Sequence, residues 1–583
     1  MFKGHPKGLY ALALSNTGER FGYYTMLAVF ALFLRENFGL EAGTAGAIYS
    51  TFLGLVYFMP LIGGVMADKF GFGKMVTIGI SIMFVGYMLL SFPLGGDMIA
   101  MIAMMAALLF ISLGTGLFKG NLQVMVGDLY NDPKYADKRD SGFSLFYMAI
   151  NVGSLFAPTT AVGIKNWAQN DLGYSSNDAY HFAFAVACVA LIVSIIIYYA
   201  FRSTFRHVEG GKKNGAAAAQ VNDTLTPAET KQRIVALCLV FAVVIFFWMA
   251  FHQNGLTLTY FADEFTNTTA FGFDTMLFDV WNLVMLIVAV YATFSIFQST
   301  SAKGKMLSGA LATGILAFLV YRAFGAEGTE LAVSAPIFQQ FNPFYVVALT
   351  PVSMAIFGSL AKSGKEPSAP RKIAYGMLVA AIGFAIMAVG SQGLNTPNDQ
   401  ARAIAVNKAE TIAKDMNQAA DEDARKAAVK AKSDFEGKLT KENKEVFEAV
   451  YNAYMVTLSA DSDQAQVAAA EAQLAAIKAD TKEETRTSPY WLIFTYLILT
   501  FAELLLSPMG ISFVSKVAPP KLKGLMMGGW FVATAIGNML VAVGGFLWAG
   551  IPLWSVWAVF ISLCLLSALF MFIMMKRLES VTK

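Results

Sequence analysis

The sequence predicts an all-α membrane protein of fourteen transmembrane helices, and three observations carry that prediction. Hydrophobic residues make up 56% of the 583 and charged residues only 14%, more apolar matter than a soluble core uses. The apolar residues fall in blocks of about 20, the length a helix needs to cross a bilayer core. Between the blocks, Lys and Arg concentrate in alternate loops.

In chain order the spans read as 10–35, 44–67, 75–94, 98–130, 141–165, 178–201, 232–261, 274–297, 304–324, 335–361, 371–391, 489–515, 522–549 and 551–576. The cationic loops hold Lys3 and Lys7, Lys69 and Lys74, Lys134 with Lys138 and Arg139, then Arg202, Arg206, Lys212 and Lys213. Later come Lys303 and Lys305, Lys362 with Lys365, Arg371 and Lys372, Lys516 with Lys521 and Lys523, and finally Lys576, Arg577 and Lys583. The intervening loops are poor in cations, which places both termini in the cytoplasm. Dropping one span would invert every later loop. The first span is too long for a cleavable leader and lacks a small-residue cleavage site. Cys188, Cys238 and Cys564 lie within spans and read as small packing residues.

Two segments are too polar for the membrane. Residues 203–230 form a Gly- and Ala-rich cytoplasmic linker. Residues 395–488 form an extracytoplasmic insert rich in Ala, Lys, Glu and Asp. Its apolar residues recur at helical spacing over 399–417 and 422–457, so two or three amphipathic helices are expected there.

Polar residues inside the spans mark function. In the first span Asn16, Glu19, Arg20 and Tyr23 recur at i, i+3, i+4 and i+7 and share one helix face. A charge at mid-membrane costs about 2.5–3.5 kcal/mol on insertion scales. Consecutive Glu19 and Arg20 diverge by about 100° and are expected not to neutralise each other fully. After the second span, Gly64-x-x-x-Asp68-Lys69-x-Gly71 resembles the loop signature of the major facilitator superfamily, in which six helices are repeated twice. The fourth span carries Lys119 deep in apolar sequence, and the fifth carries Asn151, an amide that needs a hydrogen-bond partner.

Taken together, Glu19-Arg20-Phe21-x-Tyr23-Tyr24, Lys119-x-Asn121 and Phe146-Tyr147-x-x-Ile150-Asn151-x-Gly153 resemble the proton-dependent oligopeptide transporter family. The likeness continues through Phe247-Trp248, Gln253-x-Gly255, Gln339-Gln340-Phe341-Asn342-Pro343, Glu503-x-x-x-Ser507-Pro508 and Met526-Met527-x-x-Trp530-Phe531. It implies a proton-coupled symporter of di- and tripeptides, built as two six-helix bundles around a central cavity. The implied domains are a first bundle over 1–202, a linker over 203–231, and the start of the second bundle over 232–394 with an extra helix pair at 274–324. The insert over 395–488 follows, then the last three transport helices and tail over 489–583. The resemblance further implies that Arg20 and Lys119 face the peptide carboxylate, with Tyr23, Tyr24 and Tyr57 on the same wall. Asn151 and Asn342 would hydrogen-bond the peptide, Glu503 would meet its amino terminus, and Ser507 would lie in the binding site. Trp248, Trp530 and Thr534 would shape side-chain pockets. Independently, Glu19 and Glu503 balance Arg20 and Lys119, and a zwitterionic peptide has complementary ends.

Three departures from the family pattern stand out. Asn16 occupies the place of a usual glutamate, His252 that of a usual acid before Gln253, and the surplus helix pair follows the seventh transport helix rather than lying in the linker. Histidine is the side chain most easily moved across neutral pH. Glu19, coupled to Arg20 and Lys119, and His252 are therefore expected to share proton handling. Protons are the coupling ion, and no metal or other cofactor is implied. The expected partners are small peptides and the lipid bilayer, not nucleic acid, with a monomer in a bacterial inner membrane as the working unit. The rival readings are the same fold carrying nitrate or a peptide-like compound, and a non-transporting peptide sensor. No Ser-His-Asp arrangement, metal-ligand cluster or phosphate-cradling loop suggests an enzyme.

Overall fold

The computed structural model describes residues 4–135, 138–210, 225–459, 462–519 and 522–581. The middle of the expected linker, with Lys212 and Lys213, and loop residues Lys3, Lys521 and Lys583 lie outside the described residues.

Six long helices come first: α1 (Lys7–Phe38), α2 (Ala42–Phe70), α3 (Phe72–Leu90), α4 (Met98–Asp128), α5 (Arg139–Asn170) and α6 (Ser176–Ala200). Short 3₁₀ turns at Arg202–Thr204 and Arg206–Val208 follow. The chain continues with α7 (Pro227–Phe251), a 3₁₀ turn at His252–Gly255 and α8 (Thr257–Glu264). Next come β1 (Thr269–Phe271), α9 (Thr275–Phe278), α10 (Val280–Gln298), α11 (Ala302–Gly325) and β2 (Glu330–Ala332). A 3₁₀ segment, Ala335–Gln340, leads into α12 (Phe341–Lys362), followed by α13 (Ala369–Gly390). The insert holds α14 (Pro397–Gln418), α15 (Glu422–Glu436), α16 (Lys441–Leu458) and α17 (Gln464–Ala479). The last helices are α18 (Tyr490–Val517), α19 (Lys523–Met539), α20 (Ala542–Trp548) and α21 (Leu553–Ser580).

Among the described residues, thirteen helical segments are long and apolar enough to cross a membrane. The remaining expected span, α1, is 32 residues long, but its charged stripe lowers its hydropathy. It packs along α5 and α6 inside the first bundle, which α2, α3 and α4 complete. In the second bundle α13 packs between α18 and α21, while α7 meets α19 and α21. The bundles meet where α2 runs along α19 and α20, and where α5 meets α12 and its leading 3₁₀ segment. Glycine permits the tightest crossings: a Cβ on Gly63 of α2 would sit 2.1 Å from the Gly116 carbonyl of α4.

Three expected spans are interrupted rather than continuous, that of 274–297 by the extended Asp279 between α9 and α10. The helix of 232–261 breaks at His252, and that of 522–549 breaks after Met539. The expectation of two or three insert helices is corrected to four. The 422–457 stretch is divided by the Gly437 turn, and Asp463 with Gln466 forms a capping box that starts α17. Phe447, Val450 and Tyr451 of α16, with Ala405 and Val406 of α14, give the insert a core of its own. The surplus pair α10–α11 lies outside the bundles, with only Ala312 and Leu319 buried on α11. Antiparallel β1 and β2 close its ends, an element that hydrophobic patterning does not signal. Successive traversals bring the start of α1 and the end of α21 to one end of the molecule and the insert to the other.

Candidate functional site

The polar stripe of α1 faces the protein interior. Asn16, Glu19, Arg20 and Tyr23 are each at most 2% exposed. Glu19 and Arg20 pair with each other: Nε and Nη2 of the guanidinium each donate to a carboxylate oxygen at 2.5 Å. This corrects the expectation drawn from their divergence along the helix. The long arginine stem lets its planar fork swing back to the neighbouring carboxylate. The guanidinium also lies over the Tyr23 ring, 4.7 Å from its centroid. Two of the four membrane-depth charges thus cancel locally.

Lys119 and Glu503 remain, one on each bundle. The Lys119 ammonium, on α4, lies 3.9 Å from the centroid of the Tyr57 ring on α2. Glu503, on α18, is 8% exposed. It accepts the Tyr147 hydroxyl at 3.2 Å and the Asn342 side-chain N–H at 3.0 Å. Neither Lys119 nor Glu503 has an ion-pair partner among the described residues. Tyr24 packs edge-on against Tyr23, ring centroids 5.2 Å apart.

His252 sits at the break after α7. Its ring centroid is 6.1 Å from that of Tyr57 and 5.1 Å from that of Trp248, and its Nδ1 is 3.3 Å from Asn538 Oδ1 of α19. The Tyr57 ring thus contacts both His252 and the Lys119 ammonium. Trp248 and Asn538 each carry a buried N–H without a partner, at Nε1 and Nδ2.

Other expected residues are engaged in their own helices. The Asn151 amide donates to the Tyr147 carbonyl at 3.1 Å, and the Thr534 hydroxyl to the Trp530 carbonyl at 3.0 Å. Trp530 is buried against Gly510 of α18, while Ser507 lies one turn beyond Glu503, half-buried. Sequence reasoning assigns no role to Tyr147 or Asn538. Tyr147 is visible in the Phe146-Tyr147 motif, and Asn538 is an amide in an apolar span, the same signal that singles out Asn151.

The end that carries the insert is closed across the bundles. Arg35 of α1 pairs with Glu264 of α8, whose other carboxylate oxygen accepts the Trp548 indole N–H at 3.0 Å. Gln339 donates across the seam to the Ala28 carbonyl at 3.0 Å.

Two packed bundles of membrane-length helices around a buried centre of opposite charges have the architecture of a multi-pass membrane transporter. Among the described residues no group of three His, Cys, Asp or Glu could hold a metal ion. The PTR2 profile of the POT family matches residues 73–226, 317–414 and 464–546. The chain therefore belongs to the POT family. It is 28% identical to a Bacillus subtilis protein described as an uncharacterized transporter, YclF, covering 94% of this chain and 90% of that one. It is 25% identical to the peptide transporter YePEPT of Yersinia enterocolitica, covering 93% and 88%. Dipeptide and tripeptide permease A of Escherichia coli is 23% identical over 93% of this chain and 83% of its own. The fold is that of a POT family transporter crystallised with 5-aminolevulinic acid, with a TM-score of 0.65, 18% identity and coverage of 100% and 98%. Tetrameric PepTSo2 gives a TM-score of 0.57 at 20% identity, covering 98% and 97%.

Proposed function

We propose that this protein is a proton-coupled symporter that imports di- and tripeptides by alternating access. The observation that carries the reading is the pair of unneutralised charges on facing bundles, Lys119 on Tyr57 and Glu503 on Tyr147 and Asn342. A zwitterionic peptide satisfies both at once, its carboxylate toward Lys119 and Arg20 and its amino group toward Glu503. The named peptide permeases among its relatives support the same cargo.

In this reading Tyr23, Tyr24 and Tyr57 line the carboxylate end, Asn151, Asn342 and Ser507 the backbone, and Trp248, Trp530 and Thr534 the side-chain pockets. Protonation of Glu19 releases the Arg20 guanidinium from its bidentate pair, so that it can take the peptide carboxylate. His252 shares the proton, acting on Lys119 across Tyr57. Loss of the Arg35–Glu264 pair lets the insert-bearing end open, and the bundles rock. The membrane potential adds about 2.3 kcal/mol per charge per 100 mV. The alternation of cationic loops supports cytoplasmic termini in a bacterial inner membrane. One chain contains every group used, which supports a monomeric working unit.

The test is uptake of a labelled dipeptide into proteoliposomes with and without an inward proton gradient. Accumulation above the bath concentration, abolished by a protonophore, is expected. Saturable binding with no uptake would make the protein a sensor, and gradient-driven uptake of nitrate in place of peptide would reassign the cargo.

A further inference from the structure

The 395–488 insert is rooted in the second bundle but reaches the first. It leaves from the end of α13 and returns at the start of α18, both in the second bundle. There it is stitched down: Gln400 donates to the Glu264 carbonyl at 2.9 Å, Arg486 to the Thr266 carbonyl at 2.7 Å, and Thr266 bridges to Thr487. The second half of α15 and the turn after it then cross to the first bundle. Lys430 donates to the Gln169 carbonyl at 2.6 Å, and Asp434 accepts the Ser176 backbone N–H at 3.0 Å and the Gln169 amide at 3.2 Å. Lys438 pairs with Glu36 of α1 at 3.2 Å. Close approach is built in as well, since a Cβ on Gly437 would stand 3.2 Å from the Asn177 amide.

The two attachments differ in kind. The one to the second bundle is covalent at both ends and partly buried. The one to the first bundle is polar throughout, and Val429, the apolar residue of α15 beside it, is 53% exposed. A contact with little apolar burial forms and releases readily. It also lies at the end where Arg35 and Glu264 already close the bundles.

We propose that the insert is a strap across the insert-bearing end, holding that end closed through Lys430, Asp434 and Lys438 and releasing the first bundle when it opens. The strap rests on the alternating-access reading. It travels with the second bundle, and its polar contacts shift the balance between the two open states by at least about fivefold, the combined worth of three partly buried polar contacts.

Spin-label distances in proteoliposomes test both ideas separately. One pair, Leu172→Cys with Asn267→Cys, spans the bundles; the other, Leu172→Cys with Ala427→Cys, spans the strap contact. Both lengthen together if the strap releases, and Lys430→Ala/Asp434→Ala/Lys438→Ala raises the long-distance population of the first pair by at least fivefold. A first pair that lengthens while the second stays short overturns the strap alone, as does a triple variant with unchanged populations. A first pair that never lengthens at any pH or dipeptide concentration overturns alternating access and the strap with it. As a second measurement, a Gln169→Cys/Lys430→Cys disulfide is expected to cut dipeptide uptake at least tenfold, with recovery on reduction. Undiminished uptake by the oxidised tether overturns the strap.

Discussion

Replacing Glu503 by glutamine is expected to move stability and substrate affinity in opposite directions. The Glu503 carboxylate is 8% exposed, and its partners are two neutral donors, Tyr147 and Asn342. A buried carboxylate without a cation carries a desolvation cost that two neutral hydrogen bonds offset incompletely. Glutamine keeps the size and one acceptor oxygen but removes the charge, a gain of about 1–2 kcal/mol. That corresponds to a rise in melting temperature of about 1–2 °C for a chain of this size. Binding changes the other way. The peptide ammonium loses a hydrogen bond to a charged group, worth about 1.5–3 kcal/mol, so affinity for a free dipeptide falls about 10- to 150-fold. An N-acetylated dipeptide has no ammonium to lose and binds both forms alike. Thermal unfolding in detergent and competition binding with the two ligands read the two halves. A lower melting temperature, or equal losses for the free and blocked peptides, would refute the assignment of Glu503 as an unneutralised receptor for the amino terminus.

Three other changes test different parts of the molecule. His252→Gln is expected to preserve dipeptide exchange between two filled compartments while removing gradient-driven accumulation; unchanged accumulation sets His252 aside as a neutral polar residue held by Asn538. Gly510→Ala places a Cβ 1.9 Å from the Trp530 ring, so the indole must move; uptake of dipeptides with bulky side chains should fall several-fold more than uptake of dialanine. In the insert, burial raises the Glu410 carboxyl, but hydrogen bonds from Lys414, Lys478 and Tyr454 outweigh it and hold it at about 2, below its reference of 4.5. A depressed carboxylate stabilises above its unfolded pKa and loses that contribution as pH falls through its folded one. Hydrogen-exchange protection factors in α14, α16 and α17, with the intrinsic pH dependence divided out, should therefore fall between pH 4.5 and about 2, and Glu410→Gln should flatten that dependence.

The spans are legible in the sequence because a bilayer imposes one length and one composition on every helix that crosses it. The charged centre is legible for the same reason: Glu19, Arg20, Lys119 and Glu503 stand out against apolar neighbours. Pairing is not legible, because it depends on rotamers. Backbone divergence argues against a Glu19–Arg20 pair, yet a flexible stem overrides the backbone angle. The insert reads at least one helix short, since hydrophobic periodicity is weak in an Ala-rich stretch such as α17. The start of α17 is marked only by its caps, Asp463 and Gln466. The breaks at His252 and after Met539 carry no proline, so nothing local announces them.

The self-pairing of Glu19 and Arg20 alters what the site must do. With that pair neutral, the centre is left with one cation on the first bundle and one anion on the second, each resting on aromatic or neutral polar groups. Such a centre is neutral overall but strongly polarised across the seam. A small anion would satisfy Lys119 and leave Glu503 bare, and a simple amine would do the reverse. A zwitterion answers both, and in the proposed mechanism its bridging would draw the two bundles together. In the proposed scheme, protonation would turn Glu19 from a partner of Arg20 into a bystander and so add a second cation on the carboxylate side while cargo is held. Coupling under this scheme needs no direct contact between proton and peptide, only their competition for one guanidinium.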